Sequence, residues 1–274
     1  MAVAAAREEQ TVPELAARFR VQPPTGEGGP VQRAVGDGLR HGFSQRAFCS
    51  SQVGALPGSG VVLPAQGGVD AFLRQAVAHG VERFVVLSSL AAALQHERDR
   101  GSVSALHHLS VENAVRATGV PATMLRPGTF ANNLLAWANP IKAGDTVYGP
   151  YASSAQAPIH EADIASVAFV SLTADGHQGK TYAMTGPQAL TRVEQLETIG
   201  TAIGRRLRFQ EIPPQAFSEA MGKFMPPPII KMLLDYWSDT VTTPDVVLPT
   251  VEQITGRKAR TLAEWAKDHA ADFA

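Results

Sequence analysis

The chain has 274 residues, a length that suits one large α/β domain or a core domain with a small lobe. Its 45% apolar and 18% charged residues are typical of a globular protein, and a net charge of −1 offers no basic surface for nucleic acid. The single cysteine, Cys49, excludes an intrachain disulfide and a multi-cysteine metal site, and it favours a reducing compartment. The sequence has neither a signal-peptide pattern nor an apolar run of membrane-spanning length, so we predict a soluble cytoplasmic protein without membrane association.

Residues 1–66 differ from the rest of the chain in composition and in the spacing of their apolar residues. They are rich in glycine, proline, arginine and serine, and their apolar residues follow neither the strand period nor the helix period. A parallel sheet needs near-continuous apolar strands, and only residues 47–49 and 61–63 offer short candidates. Residues 14–19 could form a short helix. We therefore expect 1–66 to be an atypical segment in place of a regular first half of a sheet.

Regular elements are predicted from residue 69 onward. Apolar residues recur at helical spacing over 69–77, and a buried strand over 84–87 follows. A second helix is predicted over 103–118 and a second strand over 120–125, which we expect to end before Pro127 because proline interrupts a central strand. The alternation of strands and helices predicts an α/β fold with a doubly wound parallel sheet.

The second half of the chain is predicted to be mainly helical. A helix begins at about residue 161, a strand covers 181–185, and an apolar helix covers 229–237. Three pairs match the capping box that begins many helices, namely Thr191 with Glu194, Thr250 with Gln253, and Thr261 with Glu264. We divide the chain into 1–66, a core of 67–186 and a lobe of 187–274.

Two strand ends are the first candidates for a binding site. In parallel sheets, ligands bind beyond the carboxyl ends of the strands. Ser88 and Ser89 follow one strand, and their hydroxyls could bond a ribose or a carbonyl. Pro127, Gly128 and Phe130 follow the next, where a flat ring could approach the backbone. The alternative is that these residues only satisfy turn geometry.

A polar row on the second helix is the other candidate. Ser104, His108 and Glu112 are spaced at i, i+4 and i+8, so a hydroxyl, an imidazole and a carboxylate share one helix face. They could relay or position a proton, with His108 as the acid or base. The alternative, which the spacing alone favours, is a solvent-facing stripe with an ordinary pair between His108 and Glu112.

No phosphate loop or metal site is predicted. The glycine-rich turns are Gly36, Gly38 and Gly42, and then Gly54, Gly58 and Gly60. Neither turn follows a convincing buried strand, so we attribute both to composition. The histidines and the cysteine show no metal-ligand spacing.

The chain nonetheless resembles a known family from residue 68 onward, over about three-quarters of its length. The resemblance is carried, in order, by the segments GVDAFLRQAVAHGVERFVVLSS, HHLSVENAVRATGVPATMLRPGTFANNLL, PIHEADIASVAF, YAMTGPQALTRVEQLETIG and TGRKARTLAEWAKDHA. They are similar to the NmrA-like, atypical short-chain dehydrogenase/reductase family. The resemblance implies a Rossmann-like core, a smaller C-terminal substrate lobe and an NADP or NAD cofactor.

The resemblance also implies roles for individual residues. Those that would flank the nicotinamide are Ser88, Ser89, Pro127, Gly128 and Phe130. Asn132 and Asn133 would lie at the mouth of the substrate cleft. Ser104 and His108 stand where the wider superfamily has its Tyr-x-x-x-Lys pair, and no G-x-x-G-x-x-G turn opens the chain.

The function implied is an NAD(P)H-binding oxidoreductase for a small carbonyl, quinone or imine-type substrate. One alternative is a regulatory protein that senses NAD(P) and reports to a protein partner. Another is a defective copy without a cofactor site, in which a frameshift or a mis-chosen start has replaced the family's N-terminus by residues 1–66.

Overall fold

A computed structural model describes residues 4–5, 46–50 and 66–274. The strands are β1 (Ala4–Ala5), β2 (Arg46–Ser50), β3 (Arg83–Leu87), β4 (Ala122–Pro127), β5 (Thr146–Gly149), β6 (Ala155–Gln156), β7 (Thr181–Met184), β8 (Leu190–Thr191) and β9 (Arg208–Glu211). The helices are α1 (Gln66–Ala78), α2 (Val103–Ala117), α3 (Ala138–Ala143), α4 (Glu161–Thr173), α5 (Arg192–Ile203), α6 (Pro214–Met221), α7 (Pro227–Thr242), α8 (Thr250–Thr255) and α9 (Leu262–Asp268).

The main sheet has the strand order β1-β2-β3-β4-β7. Strands β2, β3, β4 and β7 run parallel, whereas β1 pairs antiparallel with β2. Helices α1 and α2 bury an apolar cluster with Phe84 and Val86 on one face, and α4 buries another with Val85 and Leu87 on the opposite face. Because successive residues of β3 point to opposite faces and both are covered, the predicted doubly wound α/β sheet is confirmed.

The smaller lobe contains two short strand pairs. Strand β5 pairs in parallel with β9, and β6 pairs antiparallel with β8. A third apolar cluster includes Trp137 and Ile141 from before α4 and Leu196 and Trp265 from after β7. Helices α5 to α9 make the lobe mainly helical, as expected. Its apolar cluster is packed from two separate stretches of the chain.

Most predicted elements match the observed ones. Gly80 and Gly119, just beyond α1 and α2, have φ of 76° and 74°, values that glycine adopts readily and that end a helix. The candidate strand at 47–49 lies within β2. The candidates at 14–19 and 61–63, both glycine-rich turns and the proposed frameshift lie outside the described residues.

Two boundaries differ from prediction. Strand β4 continues through Pro127, which pairs in register with Met184 of β7. Leu125 is the last β4 residue in register with β3, so the missing N–H of Pro127 removes no bond to that neighbour. The capping box predicted at Thr250 is absent, because Thr250 is itself the first helical residue and Pro249 is the N-cap. The boxes at Thr191 and Thr261 are confirmed.

Candidate functional site: the carboxyl ends of the parallel strands

The carboxyl ends of β3, β4 and β7 meet at one edge of the sheet. The Ser88 N–H donates to the carbonyl of Leu125 at 2.7 Å, and the Gly128 N–H donates to the carbonyl of Met184 at 2.9 Å. A Cβ atom on Gly128 would lie 3.5 Å from Cγ2 of Thr185 and 3.9 Å from Cδ2 of Leu90. The two strand ends singled out in the sequence are therefore neighbours, at the edge where doubly wound sheets bind ligands.

The buried carboxylate of Glu112 forms hydrogen bonds with residues at both of these strand ends. Glu112 of α2 has no exposed surface. The Ser88 Oγ donates to its Oε1 at 2.6 Å, and Arg126 donates from Nε and Nη2 at 2.8 and 2.7 Å. Arg116 adds a further bond to Oε2 at 2.7 Å. Glu112 thus holds Arg126, the last residue but one of β4, and Ser88, the first residue after β3.

The charge of Glu112 is held by these partners. Burial by itself would raise the pKa of this carboxyl, but the hydrogen bonds from Arg126 and Ser88 outweigh it and leave the pKa below its ordinary value. Glu112 is therefore ionised at neutral pH, with two guanidinium groups beside it.

The polar row on α2 does not face solvent. His108 is 5% exposed and Glu112 is fully buried, so the solvent-facing stripe that the spacing favoured is wrong. Burial, together with the neighbouring His107, lowers the pKa of His108 to about 4, although Glu112 opposes the change. His108 is thus a neutral imidazole at neutral pH, which can position or donate an N–H but carries no excess proton.

The remaining residues predicted at the nicotinamide end have varied surroundings. The Ser89 Oγ accepts the Ala91 N–H at 3.3 Å and begins a short 3₁₀ helix. Pro127 is buried, and Phe130 packs partly buried against the apolar cluster under α4. The hydroxyl of Ser88 donates its hydrogen bond to Glu112. Contact of these residues with a cofactor stays a prediction.

The two asparagines predicted at the substrate cleft differ from each other. The Asn132 Oδ1 accepts the indole N–H of Trp265 at 2.9 Å, which ties the loop after β4 to α9. Asn133, the next residue, is exposed. Asn132 therefore supports the junction with the lobe, while contact of either side chain with a substrate stays a prediction.

Sequence reasoning missed a phenol that reaches the same edge from α7. The hydroxyls of Tyr236 and Thr129 lie 2.7 Å apart, and the Tyr236 hydroxyl donates to Oδ2 of Asp245. The guanidinium of Arg98 lies 5.1 Å from the centre of the phenol ring. Burial first, and then the charge of Asp245, raise the pKa of Tyr236 well above 10. Since 107 residues separate Tyr236 from Thr129, no local spacing could predict their contact.

Two classes of site are absent where the structure describes the chain. Within residues 69–274, no group of three histidine, cysteine or acidic side chains is arranged to hold a metal ion. No helix in the described part of the chain is long and apolar enough to cross a membrane.

Comparison with known proteins identifies the family of this chain. The model of the NmrA-like family matches residues 69–268. The chain belongs to the NmrA-like family. The match covers β3, β4 and β7 of the sheet and most of the smaller lobe, and it begins within one residue of the point where the resemblance begins in the sequence.

Two curated relatives are similar over most of the chain. A (4-alkanoyl-5-oxo-2,5-dihydrofuran-3-yl)methyl phosphate reductase of Streptomyces griseus is 37% identical over 200 residues, which are 73% of this chain and 70% of the relative. An NAD(P)H azoreductase of Xenophilus azovorans is 34% identical over 207 residues, covering 74% of this chain and 70% of that protein.

A solved structure of the same fold is the NADPH-dependent quinone oxidoreductase of Escherichia coli, determined in complex with NADPH. It superimposes with a TM-score of 0.66 at 22% identity, covering 82% of this chain and 76% of that one. A triphenylmethane reductase of Citrobacter has a TM-score of 0.64 at 16% identity, covering 83% and 76%. These likenesses confirm the Rossmann-like fold.

Proposed function

We propose that this chain is an NAD(P)H-dependent reductase whose nicotinamide lies on the carboxyl ends of β3 and β4. The family membership, together with relatives that are reductases at 37% and 34% identity, bears out the NAD(P)H-binding oxidoreductase expected from the sequence. The observation that carries the placement is the junction of Ser88, Gly128 and Thr185 at one edge of the parallel sheet.

The residues at this edge fit the reactive end of such a cofactor. Gly128 presents backbone without a side chain, and Ser89, Thr129 and Phe130 are each partly exposed around it. A flat ring could lie against this surface, where Ser89 and the backbone of 128–130 would orient it. When bound, a reduced nicotinamide supplies a hydride to an acceptor.

The chain's own groups hold this surface in place. The Glu112 network fixes Ser88 and Arg126 on either side of it. His108 lies one turn before Glu112 on α2, and we assign its buried, neutral imidazole a positioning role. Tyr236 and Thr129 place α7 over the edge of the sheet and, with Asn132 and Asn133, would border the acceptor.

The acceptor class follows from the relatives. Their names describe an unsaturated lactone phosphate and an azo compound, and a third relative is a quinone oxidoreductase of Escherichia coli, 26% identical over 161 residues. All are conjugated acceptors of a hydride. We therefore assign a small conjugated carbonyl, quinone or imine-type substrate to this chain. The proposal includes a cofactor core within 67–186, a substrate lobe formed by 187–274 together with residues 131–156, and a cytoplasmic location.

The proposal is tested by calorimetric titration with NADPH and NADH, followed by turnover with a quinone and an azo dye. Micromolar binding with consumption of the reduced nucleotide is the expected result. Binding without consumption would refute the enzymatic assignment and favour the NAD(P) sensor. No binding by a folded protein would refute the cofactor site and favour the defective copy.

A matched pair of glycine variants locates the cofactor. Gly128→Val would place a branched side chain on the proposed nicotinamide surface, and NADPH binding should weaken at least tenfold. Gly144 lies in extended backbone, and a Cβ atom added there would have no other atom within 4 Å, so Gly144→Val serves as the control. Equal NADPH affinity in the two variants would place the nicotinamide elsewhere.

A further inference from the structure

The lobe contains a buried cation that no carboxylate of the described residues neutralises. Arg192, the first residue of α5, is 5% exposed, and its Nε has no hydrogen-bond partner. Burial lowers the pKa of this guanidinium to about 9, with no acidic group acting on it. The other buried arginine of the described residues, Arg83, is paired with Asp175.

Three aromatic rings surround the Arg192 guanidinium. Its central carbon lies 3.9 Å from the ring centre of Trp237, 5.3 Å from that of Phe209 and 5.7 Å from that of Trp137. The fourth side is Gly149, where a Cβ atom would lie 2.9 Å from Nη2. Arg192, Trp137, Phe209 and Trp237, with Gly149, form what we call the arginine cage.

The rings offset only part of the cost of burying this charge. Each cation–π contact contributes modestly, whereas a buried ion without a counter-ion is strongly unfavourable. A methionine of similar length could pack in the same place without the cost of burying a charge, although it would lose the cation–π contacts. The unpaired Nε, with no carboxylate of the described residues beside it, makes Arg192 a candidate for binding an anion.

The arginine cage is next to the proposed reaction site. Tyr236 and Trp237 are consecutive residues of α7. The first contacts Thr129 at the end of β4, and the second covers Arg192. Phe217 of α6 packs against Trp237, and α6 itself has no buried residue. Helix α7 thus contacts both the end of β4 and the Arg192 guanidinium.

We propose that Arg192 binds an anionic group of the substrate, a phosphate or a carboxylate, while the conjugated end lies at the strand ends. This inference rests on the proposed reductase function for the identity of its ligand. It narrows the substrate to conjugated acceptors that carry an oxyanion at their other end. The planar guanidinium offers paired N–H donors to such a group, and the rings exclude water from the contact.

A binding measurement tests the cage without requiring turnover. Trp137 and Trp237 are two of the three tryptophans of the chain, so the cage should report on its own ligand. Benzyl phosphate, with and without saturating NADP⁺, should change the tryptophan fluorescence, and benzyl alcohol should not. Arg192→Met should abolish the response and raise the unfolding temperature. Arg192→Lys should keep a weaker response, because the charge remains and the paired donors are lost.

Arg83→Met is the matched control, since it also removes a buried arginine. Arg83 begins β3 and therefore lies at the end of the strand away from Ser88 and the proposed site. This variant should leave the fluorescence response unchanged. A wild-type protein that shows no response at millimolar benzyl phosphate in either condition would overturn the proposal. So would an Arg192→Met variant that responds as the wild type does.

Kinetics with a pair of conjugated ketones, one with and one without a phosphate ester, gives the second test. The ratio of the two kcat/KM values should fall about 10- to 100-fold in Arg192→Met, the range expected for hydrogen bonds to charged groups. An unchanged ratio would overturn the proposal. If the cage binds benzyl phosphate but no acceptor is reduced, the anion site stands and the reductase assignment falls.

Discussion

Removing the charge of Glu112 should both destabilise the protein and loosen the proposed cofactor surface. The isosteric change Glu112→Gln keeps the volume of this fully buried side chain but replaces one acceptor oxygen by a donor. The new amide would point N–H groups at Arg126 or Arg116, each 2.7 Å from Oε2 in the wild type. Both guanidinium groups would then lose their counter-ion.

The expected loss of stability depends on how far Arg126 and Arg116 are exposed to water. Breaking a buried ion pair by removing one member costs roughly 3–5 kcal/mol. The side chains of Arg126 and Arg116 are 16% and 46% exposed, so both can recover hydration and the lower end applies. We expect the free energy of unfolding to fall by about 3 kcal/mol. NADPH affinity should fall as well, because Ser88 and Arg126 lose their common anchor.

The assay is urea unfolding at pH 7, followed by tryptophan fluorescence, with NADPH titration of the folded variant. Asp145→Asn is the control, because Asp145 pairs with Arg205 at 2.6 Å on the surface with a side chain that is 60% exposed. It should cost less than about 1 kcal/mol. A Glu112→Gln protein as stable as the Asp145→Asn protein, with unchanged NADPH affinity, would show that the network does not hold the strand ends.

Two further variants probe buried polar groups near the site. His108 has its pKa lowered from 6.5 to about 4, so stability is retained above pH 6.5 and lost as the pH falls towards 4. At about 1.4 kcal/mol per pKa unit, the stability difference between wild type and His108→Gln should shrink by roughly 3 kcal/mol between pH 7 and pH 4; a pH-independent difference in urea unfolding would contradict the buried neutral imidazole. Tyr236→Phe removes the bonds to Thr129 and Asp245 and should cost about 2 kcal/mol, as hydrogen bonds to charged groups do. Tyr148→Phe, at a 62% exposed position, should leave the unfolding midpoint unchanged, and equal midpoints for the two variants would refute the anchoring of α7.

Local patterns predicted the elements from residue 69 onward because their apolar spacing is strong. The four residues Phe84, Val85, Val86 and Leu87 could only form a strand covered on both faces, and the structure buries each of them. Thr250 shows the limit of a short motif, since its hydroxyl can cap a helix only from a non-helical position.

The chemistry of the site was less accessible to the same reasoning. His108 and Glu112 look like a solvated stripe because polar residues at i and i+4 usually are. The burial of Glu112 depends on Ser88 and Arg126, which approach from other elements and donate hydrogen bonds, and Arg126 brings the compensating charge. Whether a polar helix face is exposed or buried is thus decided by partners distant in the sequence, which local periodicity cannot predict.

The strand pairs of the smaller lobe constrain how this chain could be recombined with its relatives. Strands β5 and β6 precede α4 in the chain, whereas their partners β9 and β8 follow β7. A chimera that imports only 187–274 would separate every pair and leave Gly149 facing a foreign residue in place of Arg192. Exchanging 131–156 together with 187–274 keeps both pairs and the arginine cage intact. Under the proposed function, the residues that set substrate preference lie in two separate stretches of the gene, which have to be exchanged together.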